Sequence, residues 1–274
     1  MIMDVTIREV DVNVDIQGIR ETHGSDDHWG SNEACLASTV TSLYNGFFIQ
    51  VAELDGKIVG HTEWVITDDT AQRFLYLGMM QVHEDYQKMG IGRKLVDAGI
   101  AYAKDNNCAF IRTMPNLESG SIDFYRKNGF IQTKDSNSTL KIATTVISNN
   151  NVCIDKVPSS VVKNLPLVSG LWQHSSAHMW KVFNARHEFD GRTVASYKIG
   201  NAYVNIGAYM PAEAASVACW GELTQGLISE ILAVGDNLGY KYLNFCVLNE
   251  NVPCFAGFKY EMLDEHDVFM ELRL

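Results

Sequence analysis

Gln87-Lys88-Met89-Gly90-Ile91-Gly92-Arg93 stands between two runs of different periodicity. Before it, Phe74-Leu75-Tyr76-Leu77-Gly78-Met79-Met80-Gln81-Val82 is an apolar, strand-like run. After it, Lys94-Leu95-Val96-Asp97-Ala98-Gly99-Ile100-Ala101-Tyr102-Ala103-Lys104 has helical spacing. A strand, a glycine turn and a helix start in that order make an anion site. Free backbone N–H groups at the helix N-terminus point outward, and the helix dipole favours negative charge. Gly90 and Gly92 let the backbone approach a pyrophosphate closely, and Lys88 and Arg93 add charge-assisted contacts.

The details separate this turn from other phosphate loops. A Rossmann turn needs a third glycine or alanine where Leu95 stands, and a P-loop needs Gly-Lys-Ser/Thr, which is absent. The spacing Gln-x-x-Gly-x-Gly resembles the acetyl-CoA pyrophosphate loop of the GNAT superfamily of N-acetyltransferases. The downstream sequence agrees. Cys108–Met114 reads as the next strand, and Ser119–Asn128 as a short helix that ends on the glycine C-cap Gly129-Phe130. Superfamily members commonly place a Tyr four residues before such a Gly-Phe, where it protonates the leaving thiolate. Tyr125 has that spacing.

The resemblance implies an α/β fold, a central mixed sheet flanked by helices, and acetyl-CoA as the acyl donor. It implies cofactor contacts from Met80, Gln81 and Val82 on the central strand and from Gln87, Lys88, Met89, Gly90, Ile91, Gly92 and Arg93 in the loop. It implies that a backbone N–H beside a strand bulge near Met80–Val82 stabilises the carbonyl oxygen. Tyr125 is the expected acid. Glu63 is the expected base, on the strand next to the central one, with His61 at the same parity. One departure concerns an Asn that family members often carry seven residues before the Tyr. Glu118 is there instead, with Asn116 two residues earlier, a departure from the family pattern.

The order of segments extends the reading. Val5–Val10, Val14–Arg20, Asn32–Tyr44, Phe47–Glu53 and Lys57–Thr67 read as strand, two helices and a hairpin turning at Asp55-Gly56. Thr139–Thr145 is expected to complete the first sheet. A polar break at Ser148–Asn151 divides the chain into 1–147, a GNAT domain, and 148–274, a degenerate GNAT-like copy in tandem. In the second half, Asn151–Val157 is expected as a strand, and Ser159–Ser169 and Leu171–Val182 as helices. Asp190-Gly191 echoes the first hairpin, Ala202–Met210 the central strand and Gly257-Phe258 the Gly129-Phe130 ending, and Ser216–Asn237 reads as helical. Met210–Ser216 then occupies the place of the phosphate loop, without its glycines or a basic residue.

Composition bounds the partners. Of 274 residues, 46% are apolar and 20% charged, as in an ordinary globular protein. No apolar run reaches the roughly 18–20 residues needed to span a membrane, and the N-terminus lacks an apolar leader. A net charge of −11 argues against general nucleic-acid binding and suits a cationic acceptor. Six cysteines without a C-x-x-C pair fit free thiols in a reducing cytoplasm. His174 and His178, four apart beside Trp172 and Trp180, fit a packed helix rather than a metal site. The expectation is an N-acetyltransferase that acts on a small-molecule or peptide amine, as a monomer or homodimer. The alternative is a non-catalytic acyl-CoA-binding regulatory module.

Overall fold

The computed structural model describes residues 4–24, 31–44, 46–67, 72–115, 120–145, 159–162, 165–170, 194–207 and 213–274. These residues form two compact units, Met1–Gln132 with Met270–Leu274, and Thr133–Phe269. The polar break at 148–151 lies outside the described residues.

The first unit begins with β1 (Thr6–Glu9), α1 (Ile16–Thr22), α2 (Asn32–Tyr44), β2 (Phe48–Leu54) and β3 (Lys57–Thr67). It continues with β4 (Phe74–Val82), α3 (Ile91–Asp105), β5 (Phe110–Thr113) and α4 (Ser121–Lys127). Asp55 and Gly56 make the β2–β3 turn with φ of 51° and 76°, the left-handed pair that a two-residue hairpin needs. Strands β1 to β4 pair antiparallel in sequence order, and β5 joins β4 in parallel. Helix α3 buries Ile91, Leu95, Val96, Gly99 and Ala103 on one stripe. Gly99 is required there: a Cβ on it would lie 2.3 Å from the ring of Trp64, which is fully buried.

The first sheet is completed by the far end of the chain. In β12 (Tyr260–Arg273), Met270, Glu271, Leu272 and Arg273 pair antiparallel with Thr113, Arg112, Ile111 and Phe110. Arg112 donates to Glu271 from Nε at 3.0 Å and lies over the rings of Phe74 and Phe110. The expected partner, Thr139–Thr145, is elsewhere. It belongs to β6 (Ile131–Ala143), which pairs antiparallel with β11 (Tyr242–Leu248) in the second unit. The first unit therefore takes a strand from the far half of the sequence, and the second unit takes β6 from the first half. Strands carry no local mark of their partner, so a hydrophobic pattern cannot distinguish the two pairings.

The second unit orders its sheet β6-β11-β10-β9-β8, with β8 (Val194–Ile199), β9 (Ala202–Gly207) and β10 (Ala214–Trp220). β8, β9 and β10 pair antiparallel, and β10 pairs parallel to β11, as β2 to β5 do in the first unit. This corrects the sequence alignment of the two halves. β10, not Ala202–Met210, is the counterpart of β4. The helix expected over Ser216–Asn237 is strand up to Trp220, and α5 spans Gln225–Asn237. The described hairpin turns at Gly200-Asn201, whereas Asp190-Gly191 lies outside the described residues, as do Asn151–Val157 and Leu171–Val182. The helix expected over Ser159–Ser169 is replaced, among the described residues, by a short 3-10 turn at Ser159–Val162 and the strand β7 (Leu167–Ser169). Pro166 lacks the N–H that a continuing helix would use.

Candidate active site

Where β4 outruns β5, the sheet of the first unit opens. Their parallel pairing covers only Leu75↔Ile111, Tyr76↔Arg112 and Leu77↔Thr113, yet β4 continues to Val82. Among the described residues no strand pairs with Gly78–Val82 on the β5 side. On its other side β4 stays bonded to β3, with a register shift: Trp64 faces Leu77 and Glu63 faces Met79. Gly78 is the extra residue, so a β-bulge lies where β4 parts from β5. A Cβ on Gly78 would come within 3.1 Å of the Phe47 ring.

The opening leads to the phosphate-type turn. After Val82 the chain makes a short turn over Glu84–Tyr86, and the Gln87 side chain donates to the Val82 carbonyl at 3.1 Å. Gln87, Lys88, Met89 and Gly90 are exposed. Lys88 and Gly90 have φ of 62° and 85°; Gly90 is the N-cap of α3, and no side chain caps the helix. The first-turn N–H groups of Ile91, Gly92 and Arg93 thus face outward with the positive end of the dipole. Gly92 sits where a Cβ would press on the Phe124 ring at 3.1 Å, which keeps α4 close to α3. Arg93 donates to Asp97 at 2.9 Å and to Asn128 at 3.0 Å, so its charge is shared between the α3 surface and the end of α4.

Tyr125 marks the apex of the opening. It is buried against Phe124 and Phe130, in the same cluster as Trp64, Leu77 and Val96. Burial pushes its phenol up to about 12, opposed by a hydrogen bond with Thr113. Thr113 also donates to the Leu77 carbonyl at 3.2 Å. The phenol is therefore neutral and able to donate at any ordinary pH.

Glu63 is on the opposite face of the sheet. It is buried, and Ser42 on α2 donates to it at 3.0 Å. Trp64, its neighbour in β3, faces α3 and Tyr125, so Glu63 and Tyr125 approach the opening from two sides. His61 shares the parity of Glu63 but is fully enclosed, with Nδ1 3.2 Å from the Thr22 hydroxyl. Burial, and then the nearby His23, lower its pKa to about 3. Sequence reasoning missed Thr113 and Ser42, because nothing along the chain links residue 42 to 63 or 113 to 125. Asn116, Glu118, His174 and His178 lie outside the described residues. Among the described residues, no group of side chains is arranged to hold a metal ion, and no helix is long and apolar enough to cross a membrane.

In the second unit, the segment between β10 and α5 is Gly221–Thr224 rather than Met210–Ser216. It carries the acidic Glu222 and no basic residue. Thr224 accepts a hydrogen bond from the Leu227 N–H and so caps α5 itself.

Residues 17–130, within the first unit, match the sequence model of the acetyltransferase (GNAT) family. The whole chain has the fold of two such domains in tandem. It resembles a tandem GNAT protein from the clavulanic acid biosynthesis pathway with a TM-score of 0.65 at 12% identity, covering 98% of each chain. It is also similar to a GCN5-related N-acetyltransferase from Anabaena variabilis (TM-score 0.69, 12% identity, 97% of this chain and 72% of that one). A GCN5-related N-acetyltransferase from Kribbella flavida gives a TM-score of 0.67 at 11% identity over 100% of this chain and 72% of its own. No curated protein sequence matches the chain.

Proposed function

We propose that the first unit transfers an acetyl group from acetyl-CoA to a primary amine, by direct attack of the amine on the thioester. The observation that carries this reading is the unpaired edge of β4 beyond Gly78, running straight into the uncapped N-terminus of α3. The two ends of that path suit the two ends of an acyl-CoA. The first-turn N–H groups at Ile91, Gly92 and Arg93, with Lys88 beside them, would hold the pyrophosphate. The backbone groups of Met80–Val82 that point away from β3, apart from the Val82 carbonyl held by Gln87, would pair with the amides of the pantetheine arm as a strand pairs with an added strand. Gln87 supports the turn through Val82, and Met89 stands exposed at its tip.

Acetyl-CoA supplies the activated acyl group. The chain supplies donors and proton acceptors on two sides. A backbone N–H near the bulge steadies the charge that develops on the carbonyl oxygen. Glu63, held by Ser42, takes the proton that the amine loses, directly or through water. Tyr125 gives a proton to the sulfur as the C–S bond breaks. Their placement on opposite faces suits a displacement in which the amine enters from the α1–α2 side and the thiolate departs toward α3 and α4.

Titration calorimetry with acetyl-CoA, followed by thiol release across a panel of polyamines, amino sugars and peptide amines, tests the proposal. The expected result is binding, with turnover on a cationic amine that falls in Glu63→Gln. Binding without turnover on any amine favours a regulatory acyl-CoA-binding module. No binding overturns the reading.

A further inference from the structure

The second unit has the same opening as the first, but its own chain fills it. β10 and β11 pair in parallel over Ala214↔Tyr242 to Val217↔Phe245 and then part, as β4 and β5 part after Leu77↔Thr113. Beyond that point Pro166–Gly170 lies between them. Cys219 and Trp220 on β10 pair with Ser169 and Leu167. The Gly221 N–H donates to the Pro166 carbonyl at 2.9 Å, and the Gly170 N–H to the Cys246 carbonyl on β11, also at 2.9 Å. At the apex, Ser169 donates its hydroxyl to the carbonyl of Val217 at 2.8 Å. Val217 is the last paired residue of its ladder. Leu77 is the last of the other, and there Thr113 satisfies the carbonyl instead.

Side chains lock the segment in place. Leu165 and Leu167 pack with Val162, Ala218 and Trp220, whereas Val168 packs on the separate cluster that contains Phe245 and Ile228. Ser169 and Gly170 are buried. A strand bonded to both edges of an opening and packed on both faces is part of the core, not a loose strap.

We propose that Pro166–Gly170 is a built-in occupant of the second opening, standing where an extended pantetheine arm would lie, so that the chain holds one acyl-CoA, in the first unit. The count of one rests on the acetyl-CoA reading of the first unit; the occupancy of the second does not. The Thr224 cap on Leu227 and the acidic Glu222 agree with it, because Gly221–Thr224 offers a phosphate one fewer free helix donor, a carboxylate and no basic residue.

Amide hydrogen exchange on the full chain, with and without acetyl-CoA, tests this beside a calorimetric stoichiometry. Without ligand, the amides of Gly170 and Gly221 are expected to exchange on the order of 100-fold or more slower than an unstructured segment. The unpaired β4 amides between Gly78 and Val82 should exchange fast. Acetyl-CoA should slow only the latter, at one equivalent per chain. Fast exchange at Gly170 and Gly221 in the free protein, or a second equivalent that adds protection over Ala218–Gly221, overturns the proposal. Slow exchange at Gly170 and Gly221 with no acetyl-CoA binding supports the occupant and overturns only the cofactor reading of the first unit.

Discussion

The Thr113 hydroxyl donates to the carbonyl of Leu77, the residue it faces in the last rung of the parallel β4–β5 ladder. That contact closes the sheet on one side and leaves Gly78–Val82 open on the other. It also places the Thr113 oxygen beside the buried phenol of Tyr125. Replacing Tyr125 by Phe keeps the ring packed against Phe124 and Phe130 and removes only the proton donor. Turnover is expected to fall about 100-fold, with acetyl-CoA affinity nearly unchanged. Steady-state kinetics at saturating amine measure both, and equal turnover in the two proteins removes Tyr125 from the chemistry.

Gly90 combines a φ of 85° with open space where a Cβ would project. Gly90→Ala therefore adds backbone strain of about 1–2 kcal/mol without a clash and should weaken acetyl-CoA binding modestly. Gly90→Glu adds the same strain and puts a carboxylate at the start of α3, where it competes with the pyrophosphate. It is expected to abolish binding in a folded protein, as read by calorimetry beside circular dichroism. Equal affinity in the Ala and Glu variants would falsify the anion-site assignment.

Met270–Arg273 pair with β5 in the first sheet, and Glu271 keeps only 11% of its side chain exposed against Arg112. Arg112→Ala leaves Arg273 to pair with that carboxylate and removes the guanidinium from the Phe74 and Phe110 rings. A loss of about 2 kcal/mol is expected, read from the midpoint of denaturant unfolding. Ending the chain at Phe269 should cost more, since β5 then loses its antiparallel partner. A shortened chain with the same midpoint and acetyl-CoA affinity contradicts the pairing.

His61 links stability to acid. Its folded pKa is near 3, because burial and then His23 oppose a charge on the ring, and the unfolded value is 6.5. The unfolded chain therefore binds a proton that the folded chain refuses. The stabilisation is complete above pH 6.5 and drains away as pH falls toward 3, amounting to on the order of 5 kcal/mol. His61→Gln should be less stable at neutral pH, where the contact with Thr22 is lost, but should show a shallower decline between pH 6.5 and 3. Parallel pH profiles of unfolding free energy for the two proteins would rule out His61 as the source.

The sequence by itself determined the elements whose signals are local. The glycine turn at Gly90 and Gly92, the helix behind it, the Asp55-Gly56 hairpin and the Tyr125 spacing are each written within a few residues, because helix starts and two-residue turns depend on near neighbours. The tertiary structure alone decided which strands pair. It sent β6 to β11, brought Met270–Arg273 back to β5, made residues 214–220 a strand, and laid Pro166–Gly170 between β10 and β11. It also joined Ser42 to Glu63 and Thr113 to Tyr125. Strand pairing and side-chain meeting depend on groups far apart in the chain, whose apolar patterns fit several partners equally well. Only the packed core selects among them.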